Sequence, residues 1–289
     1  MAAGKIVIVA GFQGVTETGE ITTLGRGASD TTAVALAAAL DAEVCEIYTD
    51  VDGVYTADPR IVPDACKIDR ISYVEMLEMA SLGAGVMHNR AIMFGMTYGV
   101  PIHVRSSFTD TPGTMIAEEQ PMMEDIVVTG CTVAKHLARL ILLGVPHRPG
   151  MAARVFEALA RRNVVVDDIV QSAFQPGNAQ MTFTVSKEDL DGCRVTLDEL
   201  DRDMHFEKII VDESIAKVSV VGVGMRTHSG VAARMFKAIA AAGVNIEMIT
   251  TSEIKISALV PEVDADKALR AVHGEFELEK ARGGRPRKA

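Results

Sequence analysis

Residues 22–33 read T-T-L-G-R-G-A-S-D-T-T-A: an arginine between two glycines, then a serine and an aspartate heading an alanine-rich run. These residue types suit an anion. Glycines let a backbone approach closely, the Arg26 guanidinium presents a planar fork of donors, and the free N–H groups of a helix start attract negative charge. Apolar Ala33, Val34, Leu36, Ala37 and Leu40 recur at helical spacing, so residues 31–41 are expected as a helix with Ser29 or Asp30 as its cap. A second polar stretch, Y-T-D-V-D-G-V-Y-T-A-D-P-R from Tyr48, has turn signals at Asp52-Gly53 and Asp58-Pro59. It is not a calcium loop, because Gly53 follows Asp52 directly and no glutamate closes the loop at the required spacing.

The elements that must position these groups can be read around them. Residues 5–10 are expected as a buried β-branched strand that exits into G-F-Q-G, and residues 43–51 as a second strand. Strand, glycine loop, helix and strand in that order make a parallel crossover unit, and such sheets bind ligands beyond the carboxyl ends of their strands. Ser72-Tyr73-Val74-Glu75 is a capping box that opens a helix with Val74, Met76 and Leu77 among its apolar positions. A further helix is expected over about 85–98 and a returning strand over 101–107. Met76, Met79, Met87, Met93 and Met96 read as core filling, and His88 and His103, without partners at catalytic spacing, as packed or surface histidines.

The rest of the chain contains a repeat. Aligning Gly150 with Gly230 sets Ala152, Ala153, Arg154, Phe156, Ala158, Ala160, Val164, Ile169 and Ser172 on identical residues at an offset of 80. Each copy reads strand, glycine turn, amphipathic helix, strand, strand, helix, with residues 140–145 and 218–223 as entering strands. Two βαββαβ modules are therefore expected, as ligand-sensing or dimerising units whose separate sheets pair at their edges.

Composition bounds the rest. A chain of 289 residues with 48% hydrophobic content implies two or three packed domains. A net charge of −10 argues against a nucleic-acid partner, and the basic stretch at residues 281–289 is expected as a disordered tail. Cys45, Cys66, Cys131 and Cys193 stand far apart with no histidine at ligand spacing, which excludes a disulfide framework and a zinc site and points to a reducing cytoplasm. No apolar run is long enough to span a membrane, and the first residues lack the design of a signal peptide.

These motifs, taken in order, resemble the aspartokinase family: G-F-Q-G at Gly11, T-T-L-G-R-G-A-S-D-T-T-A at Thr22, Y-T-D-V-D-G-V-Y-T-A-D-P-R at Tyr48, V-R-S-S-F at Val104, then G-M-R-T-H-S-G-V at Gly224 and N-I-E-M-I-T-T-S-E-I at Asn245. The resemblance runs to about Leu278. It implies an α/β fold in which residues 1–124 form the C-terminal part of an amino-acid kinase domain, a parallel sheet sandwiched by helices. Two ferredoxin-like ACT modules follow at 125–212 and 213–280, before the tail at 281–289. The implied reaction moves the γ-phosphoryl of ATP, with Mg²⁺, onto the side-chain carboxylate of aspartate, giving 4-phosphoaspartate for lysine, threonine and methionine synthesis. By the same resemblance Arg26 and Ser29 hold aspartate, and Thr49, Asp50, Tyr55, Pro59 and Arg60 line the nucleotide site. Met151, Ala152 and Gln171 of one module meet Asn245, Ile246 and Thr251 of the other around a lysine or threonine effector. No catalytic residue and no metal ligand is singled out.

The chain is expected to be a cytoplasmic homodimer or larger. Three departures accompany the resemblance: Ala28 stands where the family usually has glycine, His147 where it often has aspartate, and the residues begin at what resembles mid-domain, without the family's lysine- and glycine-rich phosphate loop. Weak turnover is expected from these residues alone. The alternative reading is a non-catalytic regulatory subunit from an internal start, binding lysine or threonine and pairing with a full-length kinase chain. Another amino-acid kinase, acting on acetylglutamate or uridylate, would leave the repeated modules without a role.

Overall fold

A computed structural model of the chain describes residues 4–25, 27–119 and 127–280; the expected tail at 281–289 and Arg26 lie outside the described residues. Gln13–Val15 (β1) and Ile21–Thr23 (β2) form an antiparallel hairpin turned at Gly19, whose φ of 86° suits glycine. Residues 5–10, expected as a buried strand, lie in none: Ile6 is 94% and Ile8 92% exposed. Among the described residues no strand edge pairs with them, and β-branched composition makes a strand only where a partner supplies the ladder. The expected crossover unit therefore lacks its first strand.

Its helix is present as Ala28–Ala39 (α1), beginning three residues early. The cap is Gly27, in the left-handed region at φ 73°, so Ser29 and Asp30 sit in the first turn and neither caps the helix. Cys45–Thr49 (β3), Arg70–Ser72 (β4), Tyr73–Ser81 (α2), Asn89–Tyr98 (α3), Ile102–Ser106 (β5) and Thr114–Ala117 (β6) complete this half. The sheet runs β3-β5-β6-β4, with the expected parallel pairing at β3/β5 and β4/β6 and an antiparallel join at β5/β6. Gly113 permits the tight return into β6, since a Cβ there would sit 1.8 Å from the Val104 carbonyl oxygen. The core gathers Ile47, Ile71, Met76, Met79, Met87, Ile92, Ile102 and Ile116. Met93 and Met96 face out at 46% and 39% exposure, contrary to a core role for all five methionines.

The remaining elements repeat: Gly130–Pro146 (β7), Met151–Ala160 (α4), Val166–Gln175 (β8), Asn178–Ser186 (β9) and Leu190–Met204 (α5), then Lys208–Val221 (β10), Val231–Ala241 (α6), Met248–Thr251 (β11), Lys255–Pro261 (β12) and Ala265–Glu275 (α7). Gly150 and Gly230 open their helices in the same left-handed turn, at φ 90° and 89°. The strands make one six-stranded sheet, β11-β12-β10-β7-β9-β8, where separate sheets were expected. The reason is the length of β7 and β10, which pair from Gly130↔Val221 to Leu143↔Lys208 and so run through both modules. The opening of β7 thus completes the second module, and the opening of β10 completes the first. Each module keeps its own core, one around Leu140, Leu159, Met181 and Phe183 and one around Val218, Met235, Ala258 and Leu269.

The sheet coils until its outermost strands touch. Thr250 Oγ1 on β11 donates to Asp168 Oδ1 on β8 at 2.8 Å, and the Lys217 ammonium, almost wholly buried, lies 2.6 Å from both Asp167 and Asp168.

Candidate functional site

Helix α1 descends into β3 and α3 into β5, so both helix starts stand at the carboxyl ends of two parallel paired strands. That crevice is where open α/β sheets bind ligands, and the two N-termini make it favourable to anions. Ser29 opens onto it, packed so closely on the G-F-Q-G loop that a Cβ on Gly11 would lie 3.1 Å from Ser29 Oγ. Gly27 lies against His88, whose Cδ2 would be 2.5 Å from any Cβ there. His88, read from sequence as a bystander, caps α3 by accepting the Arg90 N–H and so links the two helix starts. Arg90 Nη1 donates to the Leu24 carbonyl at 3.3 Å and ties the same loop to α3. Burial pushes the Asp30 carboxyl up, against the pull of the His88 backbone N–H and ring. Ala28 is the first helical residue and is absent from the positive-φ positions, so its side chain costs nothing there; the left-handed places belong to Gly25 and Gly27. Arg26, between them in sequence, is outside the described residues.

The five residues expected at a nucleotide fall on the same edge or the loop beyond it. Thr49 ends β3, its hydroxyl donating to Asp50 Oδ1 at 3.0 Å, and its carbonyl accepts the Ser107 N–H at 2.8 Å. Tyr55 donates to Asp52 Oδ1 at 2.8 Å; burial and that carboxylate push the phenol up to about 12, so it stays a donor at any physiological pH. Pro59 and Arg60 are exposed, Arg60 folded back in a two-pronged pair on Asp58, whose carboxyl it holds low. Ser106 ends β5 with Ser107 beyond it, and Lys67 lies 3.9 Å from Asp52; sequence reasoning gave none of the four a site role. The serines sit inside V-R-S-S-F, and only the pairing of Thr49 with Ser106 shows that they belong with the first stretch. Among the described residues no three His, Cys, Asp or Glu side chains cluster as a metal centre.

A second site lies at the start of α4. Val145, Pro146, His147, Arg148, Pro149, Gly150, Met151, Ala152 and Gln171 line a cleft of about 360 Å³. Three of the six residues expected at an effector are here. Asn245, Ile246 and Thr251 are not in its lining; the first two precede β11 and Thr251 ends it, and Asn245 donates to Glu247 Oε1 at 3.2 Å. One chain therefore does not assemble the whole expected set.

An α/β unit with its ligand-favouring carboxyl edge, joined to paired βαββαβ modules, defines the class: an amino-acid-kinase fold carrying two ACT-like modules. The amino acid kinase family model matches residues 1–106, and ACT domain models match 139–202 and 218–276. The aspartate kinase of Stutzerimonas stutzeri is 49% identical over 282 residues, 97% of this chain and 68% of that protein. Among solved structures, Clostridium acetobutylicum aspartate kinase superposes with a TM-score of 0.81 at 29% identity, over 92% of this chain and 62% of that one. Escherichia coli aspartokinase III, at 32% identity, superposes with TM-scores of 0.78 in its complex with aspartate and ADP and 0.72 in its complex with lysine and aspartate; this chain spans 59% of it in each. The chain belongs to the aspartokinase family, whose members are phosphotransferases. It spans about two thirds of the length of the curated relatives it matches.

Proposed function

We propose that this chain serves the ATP-dependent phosphorylation of the aspartate side-chain carboxylate, with feedback by lysine or threonine through its ACT modules, in the cytoplasm and at the head of lysine, threonine and methionine synthesis. The observation that carries the reading is the shared carboxyl edge of β3 and β5, onto which Ser29, Thr49 and Asp50 all open. Arg26 and Ser29 take the substrate's carboxylates, and Thr49, Asp50, Tyr55, Pro59 and Arg60 face the nucleotide. In the reaction a carboxylate oxygen of aspartate attacks the γ-phosphorus and the bond to the β-phosphate oxygen breaks, leaving ADP and an acyl phosphate. Such a transfer depends on positioning and charge neutralisation more than on covalent help from the protein. A Mg²⁺ arriving on the phosphates needs one or two carboxylates; Asp50, exposed beyond the end of β3, would hold it, and the ion would neutralise phosphate charge.

The cleft at α4 takes the effector. The N–H groups after Gly150 suit its α-carboxylate and the Gln171 amide orients it. Asn245, Ile246 and Thr251 come from a second copy. The boundaries 125–212 and 213–280 then divide two ligand-binding units whose strands interleave.

Calorimetry tests the substrate reading. Aspartate and MgADP are expected to bind saturably, and N-acetylglutamate and UMP to give no heat; binding of either of the latter in preference to aspartate would overturn it.

A further inference from the structure

The loop that carries Tyr55, Pro59 and Arg60 is built into the regulatory half of the molecule. Ala57 and Val62 are members of the second module's core, with Ile61 and Ala65 packed against it. Arg270 Nη1 on α7 donates to the Ile61 carbonyl at 3.2 Å, and the Cys66 thiol donates to the Glu279 carbonyl at 2.8 Å. Thr56, wholly buried, is the node of this arrangement. Its N–H donates to the Cys66 carbonyl at 2.8 Å, and its carbonyl accepts the Cys131 N–H from β7 at 2.7 Å. Its hydroxyl accepts the Cys66 N–H at 3.0 Å and lies 3.0 Å from Nε2 of His273 on α7, itself only 2% exposed.

We propose that His273 is a positioning residue for the nucleotide: acting through Thr56, it fixes the loop of residues 52–66 on the second ACT module, so that the state of that module sets the place of Tyr55, Pro59 and Arg60. The inference rests on the reading of those three residues as nucleotide-facing. The proton count supports it. A threonine hydroxyl has one hydrogen, and with the Cys66 N–H donating to it, both groups are satisfied when Oγ1–H donates to an unprotonated Nε2. Burial favours that neutral imidazole and holds its pKa below the ordinary 6.5, against the attraction of Glu279 and Asp64, the carboxylates that face it. A protonated ring would aim a second donor at Oγ1 and place a charge in the module's core.

MgADP titrated calorimetrically into the full 289-residue chain tests the proposal, with wild type compared against Thr56→Val, Thr56→Ser, His273→Gln and Arg60→Ala. Thr56→Val, isosteric but without the hydroxyl, removes both of that hydroxyl's hydrogen bonds and is expected to lose roughly tenfold in ADP affinity. Thr56→Ser, which restores the hydroxyl, should bind as wild type does. Wild-type affinity should also fall once pH drops below the ordinary 6.5, as His273 with its lowered pKa takes up a proton, and His273→Gln, whose amide cannot titrate, should lose that dependence. Wild-type affinity in Thr56→Val, with Arg60→Ala weakened, would overturn the proposal and leave the nucleotide site standing. No ADP binding by wild type, or no effect of Arg60→Ala, would instead overturn the site reading and this inference with it. Should Thr56→Val fail to fold, the pH series decides: equal dependence in wild type and His273→Gln overturns the proposal.

Discussion

At the scale of single residues, the anion loop is specified by backbone as much as by charge. Gly27 combines a left-handed φ of 73° with the His88 ring where a Cβ would go, so Gly27→Ala meets both strain and a clash. We expect it to lower stability by about 1–3 kcal/mol, measured by urea denaturation, and to abolish aspartate binding. Gly19→Ala, left-handed but with open space around it, should cost about 1 kcal/mol and leave aspartate binding intact. Arg26→Lys should weaken aspartate binding far more than ADP binding, because lysine cannot reproduce a two-pronged carboxylate pair; equal losses for both ligands would remove Arg26 from the substrate site. At the effector cleft His147 adds no anion for a ligand's ammonium, so His147→Asp should tighten lysine binding several-fold, read calorimetrically. The residue types of this loop were legible in the sequence, but its cap was not. Ser29 and Asp30 are better capping residues than glycine by propensity, and the steric fit of Gly27 to His88, distant in sequence, overrides that preference.

Helix α2 shows what an element inherits from its neighbours. Its capping box was plain in Ser72-Tyr73-Val74-Glu75, and Ser72 Oγ indeed accepts the Glu75 N–H while Glu75 Oε2 accepts the Ser72 N–H. What local spacing could not show is the other carboxylate oxygen, which accepts Thr129 Oγ1–H at 2.6 Å and the Val223 N–H at 3.1 Å from the regulatory half. A fully buried carboxylate with no ion-pair partner among the described residues is thus held by four donors, and it fastens α2 to the segments at Thr129 and Val223. Glu75→Gln keeps the shape but turns an amide N–H₂ toward donors, so we expect a loss of about 1–3 kcal/mol in chemical denaturation. A neutral result would mean that the junction does not depend on this carboxylate. Residues 5–10 fail in the opposite way: their composition promised a strand, yet a strand is made by its partner, and none of the described strands pairs with them.

For the whole molecule, the sequence repeat gave two modules but not their interleaving, because pairing between β7 and β10 joins residues some eighty apart and leaves no local trace. Acid stability reflects one buried imidazole and two partly exposed carboxylates held by cations. His273 has a lowered folded pKa, so its contribution is complete above the unfolded value of 6.5 and is lost as pH falls through the folded one. Asp58, held by Arg60, and Asp167, where the Lys217 ammonium outweighs the opposing effect of burial, lie below their ordinary 3.8, so a second loss should begin only beneath that value. Unfolding free energy followed against pH should fall in these two steps, and His273→Gln should remove the first alone. Light scattering should show a dimer or larger species at micromolar concentration; a monomer would leave the Gln171 cleft without Asn245, Ile246 and Thr251. The central claim is that nucleotide and aspartate share the carboxyl edge of β3 and β5, and amide hydrogen exchange with and without MgADP and aspartate reads that edge directly. Protection concentrated in residues 27–30 and 49–60 is the predicted result; unchanged exchange there, or protection appearing only around residues 145–152, would contradict it.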